Sequence, residues 1–114
     1  MVIEQIIFDF MNGTGSGMTV PTYTETPENP PASYTTIERT GERMENRHSA
    51  YTFAFKSYAP TLLETIKLND AVKDAILLLP SVDGIMGVRI QSTYNSTDTR
   101  TKQHRYTAIA VIYA

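Results

Sequence analysis

Apolar residues recur at helical spacing over residues 60–79, PTLLETIKLNDAVKDAILLL, the longest periodic stretch in the chain. At about 100° per residue, Leu62, Ile66, Leu68, Val72, Ala75, Ile76 and Leu79 share one broad face, and Glu64, Lys67, Asp70 and Asp74 fall opposite. The pattern predicts an amphipathic helix that buries one side. Pro60 suits a first helical position, where its missing N–H is no loss, and Ser81, Asp83 and Gly84 beyond Pro80 supply a stop. Asn69 and Lys73 fall near the edge of the stripe and are expected at its rim. With about 1.5–3 kcal/mol per fully buried large aliphatic side chain, this stripe is the largest contribution to the core that the pattern reveals.

A shorter helical period, Val2, Ile3, Ile6, Ile7, Phe10 and Met11, predicts a first helix that Asn12 and the run GTGSG (13–17) end as a cap or flexible turn. The alternating glycines follow a helix and do not bridge a strand to one, so they read as a linker and not as a phosphate-binding loop. Elsewhere the period is two. Thr19–Tyr23 is extended, and Pro21 confines it to a sheet edge. After the loop TPENPPAS (26–33), Tyr34–Thr40 is a second strand, and the charged stretch 41–47 is expected to turn the chain into a third, His48–Tyr58, with Tyr51, Phe53 and Phe55 on one side. Val88, Ile90, Ser92 and Tyr94 alternate with polar residues as a fourth strand, NSTDTRTKQ (95–103) is a turn or mobile loop, and Tyr106–Tyr113 is a fifth. Neither face of the fifth strand is polar, which implies a central place in the sheet or cover from another subunit. The expected architecture is a single α+β domain over residues 1–114, in the order α-β-β-β-α-β-β, with helices packed on a largely antiparallel sheet of about five strands.

Composition narrows the functional classes. The 114 residues suit one domain, with 41% hydrophobic and 19% charged residues, an ordinary globular balance. No apolar run approaches the roughly 18 residues of a membrane span, and the N-terminus lacks the pattern of a signal peptide, so the expected place of synthesis and folding is a cytoplasm, with no membrane partner. The absence of cysteine excludes disulfides, thiolate metal sites and a cysteine nucleophile. A net charge of −2 argues against strong nonspecific binding of nucleic acid. The charge is uneven, however: residues 1–33 hold Glu4, Asp9, Glu25 and Glu28 and no Lys or Arg, whereas residues 91–114 hold Arg100, Lys102 and Arg105 against Asp98. An acidic start and a basic end invite contact between unlike surfaces.

Catalytic chemistry finds little to work with. His48 and His104 belong to no metal-ligand pair, and serines, threonines and carboxylates are plentiful without a nucleophile motif. The expectation is a protein that is not an enzyme, with no catalytic residues, no cofactor and no metal. The polar segments are the candidate interface instead: Arg43, Glu45 and Arg47 in the stretch 41–48, and Tyr94, Asp98, Arg100, Lys102 and Arg105 around 95–104.

Three stretches together carry a more specific signal. YTTIERTG (34–41), FKSYAPTLLETIKLNDAVKDAI (55–76) and RIQSTYNSTDTRTKQHRYTAIAVIYA (89–114), in this order, resemble the tail completion, or tail terminator, proteins of long-tailed bacteriophages, especially the small head-tail joining proteins of phages and prophages of Gram-positive bacteria. The resemblance implies a structural virion protein of the phage neck, made in the host cytoplasm. In that family a ring, typically a hexamer, caps the tail tube at its final length and joins it to the head. The partners implied are further copies of the chain, the major tail tube protein and a head-completion or connector protein, with DNA passing through the ring without specific binding. The alternative from another class is a small α+β ligand-binding or enzymatic domain with an inter-subunit pocket lined by some of the seven tyrosines.

Overall fold

The computed structural model describes residues 2–45 and 47–114; the side chain of Glu45 lies outside that description. Helix α1 (Ile3–Met11) leads through a single 3-10 turn (Thr14–Ser16) to β1 (Thr22–Tyr23), β2 (Tyr34–Glu45) and β3 (His48–Tyr58); helix α2 (Leu62–Leu78), extended by a 3-10 turn (Leu79–Ser81), precedes β4 (Gly87–Asn95) and β5 (Arg105–Tyr113). The five strands form one sheet in the order β1-β2-β3-β5-β4, antiparallel except for the short β1, which runs parallel to β2 at the edge. This is the expected α+β architecture, and β5 is an inner strand paired on both sides, one of the two arrangements its apolar faces imply.

Both helices lie on the same side of the sheet. Ile3, Ile7 and Met11 of α1, four residues apart, join Val72, Ala75 and Ile76 of α2 and Leu79 in one cluster with Ile37, Phe53, Phe55, Ala108, Ala110 and Ile112. The register explains the sorting: Ile37, Phe55 and Ala108 stand opposite one another across three strands, as do Phe53, Ala110 and Ile90, so alternate residues of each strand reach the helices.

The long helix is turned differently from the prediction. Leu62 is 39% exposed and Ile66 is half-buried, while Thr65 and Asn69 are buried beneath the helix together with Val72, Ala75 and Ile76. Residues 65, 69, 72, 76 and 79 follow a strict alternation of four and three, and Leu62 and Ile66 lie about 80° and 120° around the axis from Val72 at 100° per residue. The buried seam thus runs straight through two polar residues, and each has an outlet: Thr65 returns its hydroxyl to the Thr61 carbonyl at 2.7 Å, and Asn69 Nδ2 donates to Thr93 Oγ1 at 2.8 Å. Asn69 is therefore a core residue at 3% exposure and not a rim residue. Lys73 does stay at the rim, half-buried and paired with Asp70 at 3.2 Å. The helix also starts two residues later than Pro60 suggested, because Thr61 accepts the Glu64 N–H at 3.2 Å as N-cap. Its end is as expected, with Gly84 at φ 94 beyond the 3-10 turn.

The run GTGSG is a folded turn. Ser16 is buried and its hydroxyl donates to the Met11 carbonyl at 3.0 Å, and Gly17 takes φ 75. Asn12, at the end of α1, mimics a strand residue: it accepts the Thr22 N–H at 2.9 Å through Oδ1 and donates to the Thr22 carbonyl at 3.0 Å, which ties α1 to β1. Two irregularities mark the outer strands, between Arg39 and Gly41 in β2 and between Ile90 and Ser92 in β4. Each adds one unpaired residue, Thr40 and Gln91, and so reverses which side the following residues face.

Candidate functional site

The structure separates the eight candidate interface residues into two groups at opposite ends of the sheet. The β2–β3 hairpin turns beyond the row formed by Ala50, Tyr113 and Gly87, and the β4–β5 connection turns beyond the row formed by Ser57, Tyr106 and Asn95. Ala50 and Ser57 are seven residues apart on β3, about 23 Å at 3.3 Å per residue. No single site gathers all eight.

In the first group the expected loop 41–48 is mostly strand. Gly41, Glu42, Arg43 and Met44 pair with Thr52, Tyr51, Ala50 and Ser49, and Glu45 pairs with His48, so the strand runs on through Glu45. Cross-strand pairing with β3 overrides the high charge of this segment, which had suggested a turn. Arg43 is exposed on the sheet side away from the helices, and Arg47 is exposed in the turn at φ 69. The side chain of Glu45 lies outside the described residues.

The second group sits on a loop with built geometry. Asp98 and Gln103 form a bridge, with the Asp98 N–H donating to the Gln103 carbonyl at 3.0 Å. Asp98 Oδ1 accepts the backbone N–H of Arg100 at 2.9 Å and of Thr101 at 3.3 Å, and these bonds, Arg100 first, hold its carboxyl below the usual carboxylate range. Arg105 Nε donates to the Ser96 carbonyl at 3.0 Å and to its hydroxyl at 3.2 Å. Asn95 Oδ1 accepts from Thr97 N–H at 2.9 Å. Asp98 and Arg105 are thus positioning residues that shape the loop. Arg100 and Lys102 project exposed from it, Lys102 in the left-handed conformation at φ 59. Tyr94, 49% exposed on β4, stands on the sheet side away from the helices beside Thr107.

The base of this loop borders a groove of about 340 Å³ lined by Pro30–Ala32, Tyr34, Tyr58–Pro60 and Lys102–His104. The proline-rich segment, through Pro30–Ala32, and the basic loop therefore border one groove within the chain. Tyr34 and Tyr58 stack there with ring centroids 4.5 Å apart, and Gln103 Nε2 donates to the Tyr34 hydroxyl at 3.4 Å. Burial, with the neighbouring Tyr58, raises the Tyr34 phenol above its ordinary value. Both tyrosines are buried and form part of the wall of this groove.

Two polar features escaped the sequence reading. Arg39 on the helix side bonds Glu4 of α1 and Glu42 at 3.2 Å and lies 4.9 Å over the Tyr51 ring, which raises its guanidinium further above its ordinary value through the Glu4 bond. The alternation through Ile37 places Arg39 inward and was the available signal. Thr22, Thr35 and Ser57 form a buried cross-strand row on the same side, and their hydroxyls make no hydrogen bond among the described residues. Their small size and β-propensity concealed them.

Among the described residues no group of three or more His, Asp or Glu side chains is arranged to hold a metal ion, and no helix is long and apolar enough to cross a membrane. Comparison with protein families finds no family that matches this chain, and comparison with curated proteins finds no match.

Proposed function

We propose that the protein is a structural component of a bacteriophage neck, a tail completion protein that assembles as a ring on the end of the tail tube and joins it to the head connector. The observation that carries this reading is the ordered resemblance of residues 34–41, 55–76 and 89–114 to that family, which covers the first part of β2, the end of β3, helix α2 as far as Ile76 and nearly all of the terminal hairpin. The placement of the two charged tips at opposite ends of one sheet supports it, because a ring subunit must meet partners on more than one side. The basic tip of the β4–β5 loop is the docking element in this reading: Arg100 and Lys102 face solvent while Asp98 and Arg105 hold the loop in shape.

The test is capping of purified tail tubes and the yield of infectious particles. Arg100→Glu combined with Lys102→Glu leaves the chain folded and impairs capping, and the defect changes with salt because exposed charges are screened over about 8 Å at physiological ionic strength. Unimpaired capping by the double variant at low salt removes these two residues from the interface. A wild-type chain that neither binds nor caps tail tubes overturns the reading altogether.

A further inference from the structure

Asn12 and Gly13 are each required where they stand, for different reasons. The Asn12 side chain bonds only to backbone: Nδ2 gives one hydrogen to the Phe8 carbonyl at 3.1 Å and the other to the Thr22 carbonyl at 3.0 Å, and Oδ1 accepts the Thr22 N–H at 2.9 Å. An amide is needed, because this clamp takes two donor hydrogens and an acceptor from one side chain. Gly13 is needed for what it lacks. A Cβ there would come within 3.1 Å of the Asp9 carbonyl oxygen and 3.4 Å of that of Phe10, where the chain folds back on the last turn of α1.

Together they form a reactive dipeptide, the only Asn-Gly in the 114 residues. The amide carbon of an asparagine can close a five-membered ring with the backbone nitrogen of the next residue, and glycine, without a Cβ, leaves that nitrogen unshielded. In that step the Gly13 nitrogen gives its proton to a solvent base and attacks Asn12 Cγ; the N–Cγ bond forms, the Cγ–Nδ2 bond breaks, and ammonia leaves with a proton taken from water. Water then opens the cyclic imide at either carbonyl. One C–N bond breaks, and the residue becomes aspartate or, with the main chain rerouted through its side chain, isoaspartate. Nothing is oxidised or reduced.

The folded geometry opposes this step. At ψ −2 the Gly13 nitrogen eclipses the Asn12 nitrogen and is turned away from Cγ, its N–H is donated to the Phe10 carbonyl at 3.1 Å, and the leaving nitrogen is held through both hydrogens. The strand at the far end of the clamp is itself fixed: Thr22 is buried and pairs with Thr35, whose N–H is donated to the Pro21 carbonyl at 3.0 Å. Asn12 and Gly13 are nevertheless exposed, so water reaches them once the clamp opens. The product cannot restore it. A carboxylate has no hydrogen for the Phe8 and Thr22 carbonyls, sets oxygen against oxygen there, and adds negative charge at the C-terminal end of α1, where the helix dipole and Asp9 are already unfavourable to it. Isoaspartate also lengthens the main chain by one carbon between α1 and the turn.

We propose that Asn12–Gly13 is a self-modification site gated by the fold: deamidation is suppressed while α1 and β1 are clamped, proceeds when they part, and leaves them untied once it has occurred. The chain thereby keeps a permanent record of time spent open. The proposal is independent of the tail-completion reading, since it concerns the chemistry of the chain and not its partners.

The rate of deamidation in the full-length protein tests it, measured at mildly alkaline pH in buffer and in unfolding concentrations of guanidinium chloride, with peptic digestion in acid and mass spectrometry of the peptide that contains Asn12. The unfolded chain is expected to react at Asn12 at least about tenfold faster than the folded chain, which reacts only through its opened fraction. Equal rates overturn the gating, and faster deamidation at Asn95–Ser96 than at Asn12 in the unfolded chain overturns the assignment of the site. Asn12→Asp, the product itself, is expected to melt at a lower temperature and to exchange the Thr22 amide proton about tenfold faster or more. Exchange at Thr22 equal to that of the wild type overturns the untying of β1. Should Asn12→Asp fail to fold, the rate comparison, made on the wild type, decides the proposal alone.

Discussion

The two ends of the layer between α2 and the sheet are built from different chemistry. At the C-terminal end of the helix, Val72, Ile76 and Leu79 close on Phe53, Phe55, Ala110 and Ile112, a dry core of aromatic and aliphatic side chains. At the N-terminal end the same seam continues as Asn69 and Thr65, and the sheet beneath ends in a cross-strand row of Thr22, Thr35, Ser57, Tyr106 and Asn95. One helix thus rests on a close-packed block at one end and on hydroxyl and amide groups at the other. The difference teaches that the apolar end holds the helix by packing alone, while at the polar end Thr22, Thr35, Ser57, Thr65 and Asn69 are just as buried and carry hydroxyl and amide groups that need partners.

The largest effect that tests this contrast is at the dry end. Ile76→Asp puts an unpaired carboxylate at a fully buried position, and the expected cost exceeds about 4 kcal/mol, enough that little folded protein is recovered. A soluble variant with an unchanged melting temperature would remove Ile76 from the core. At the polar end Asn69→Ala should cost about 1–2 kcal/mol, since it deletes the bond to Thr93 and leaves a small void; denaturant unfolding reads this directly. Thr35→Val should have the opposite sign, a gain of up to about 1 kcal/mol, because it replaces a buried hydroxyl that lacks a partner with a methyl group. A loss of stability there would mean that the hydroxyl is in use.

Leu62→Asp should change stability by no more than about 0.5 kcal/mol, since it sits at an exposed first-turn position where a carboxylate also suits the helix dipole. The smallest effect is local. Asp98 is held below its ordinary value, so its loop contribution is present above the unfolded pKa of about 3.9 and fades as pH falls through the lower folded value. The amide resonances of Arg100 and Thr101 should shift over that acid range in the wild type and not in Asp98→Ala, while the melting temperature stays nearly constant.

Much of this architecture could be read from periodicity. The first helix, the proline-limited edge strand, the aromatic side of β3 and the central β5 all follow from spacing, because each places large side chains on one face. The reading failed where polar residues do structural work. Apolar identity drew the predicted stripe of α2 toward Leu62 and Ile66, whereas the helix axis carries the seam through Thr65 and Asn69, whose partners Thr61 and Thr93 no periodicity names. Residues 41–45 looked like a turn because they are charged, and are strand because 48–52 pair with them. At the interface candidates, exposure of Arg100 and Lys102 was legible from the polar run around them. The positioning roles of Asp98 and Arg105 were not, since they depend on backbone groups that any sequence supplies.

The two extra residues in the outer strands act as phase shifters. Up to Arg39 the odd-numbered residues of β2 face the helices, and beyond Thr40 the even-numbered ones do, so that Glu42 shares a side with Arg39 and Arg43 is delivered to the bare face. Gln91 does the same on β4, sending Thr93 to Asn69 and Tyr94 to the open side. A deletion of Thr40 alone would therefore leave the following residues where they are: Arg39, Gly41, Glu42 and Arg43 would alternate without a break against Phe53, Thr52, Tyr51 and Ala50, so the hairpin would lose its irregularity and keep its charge pattern. For this chain, loss of Thr40 or of Gln91 is expected to be tolerated, because each is the one residue that its ladder leaves unpaired.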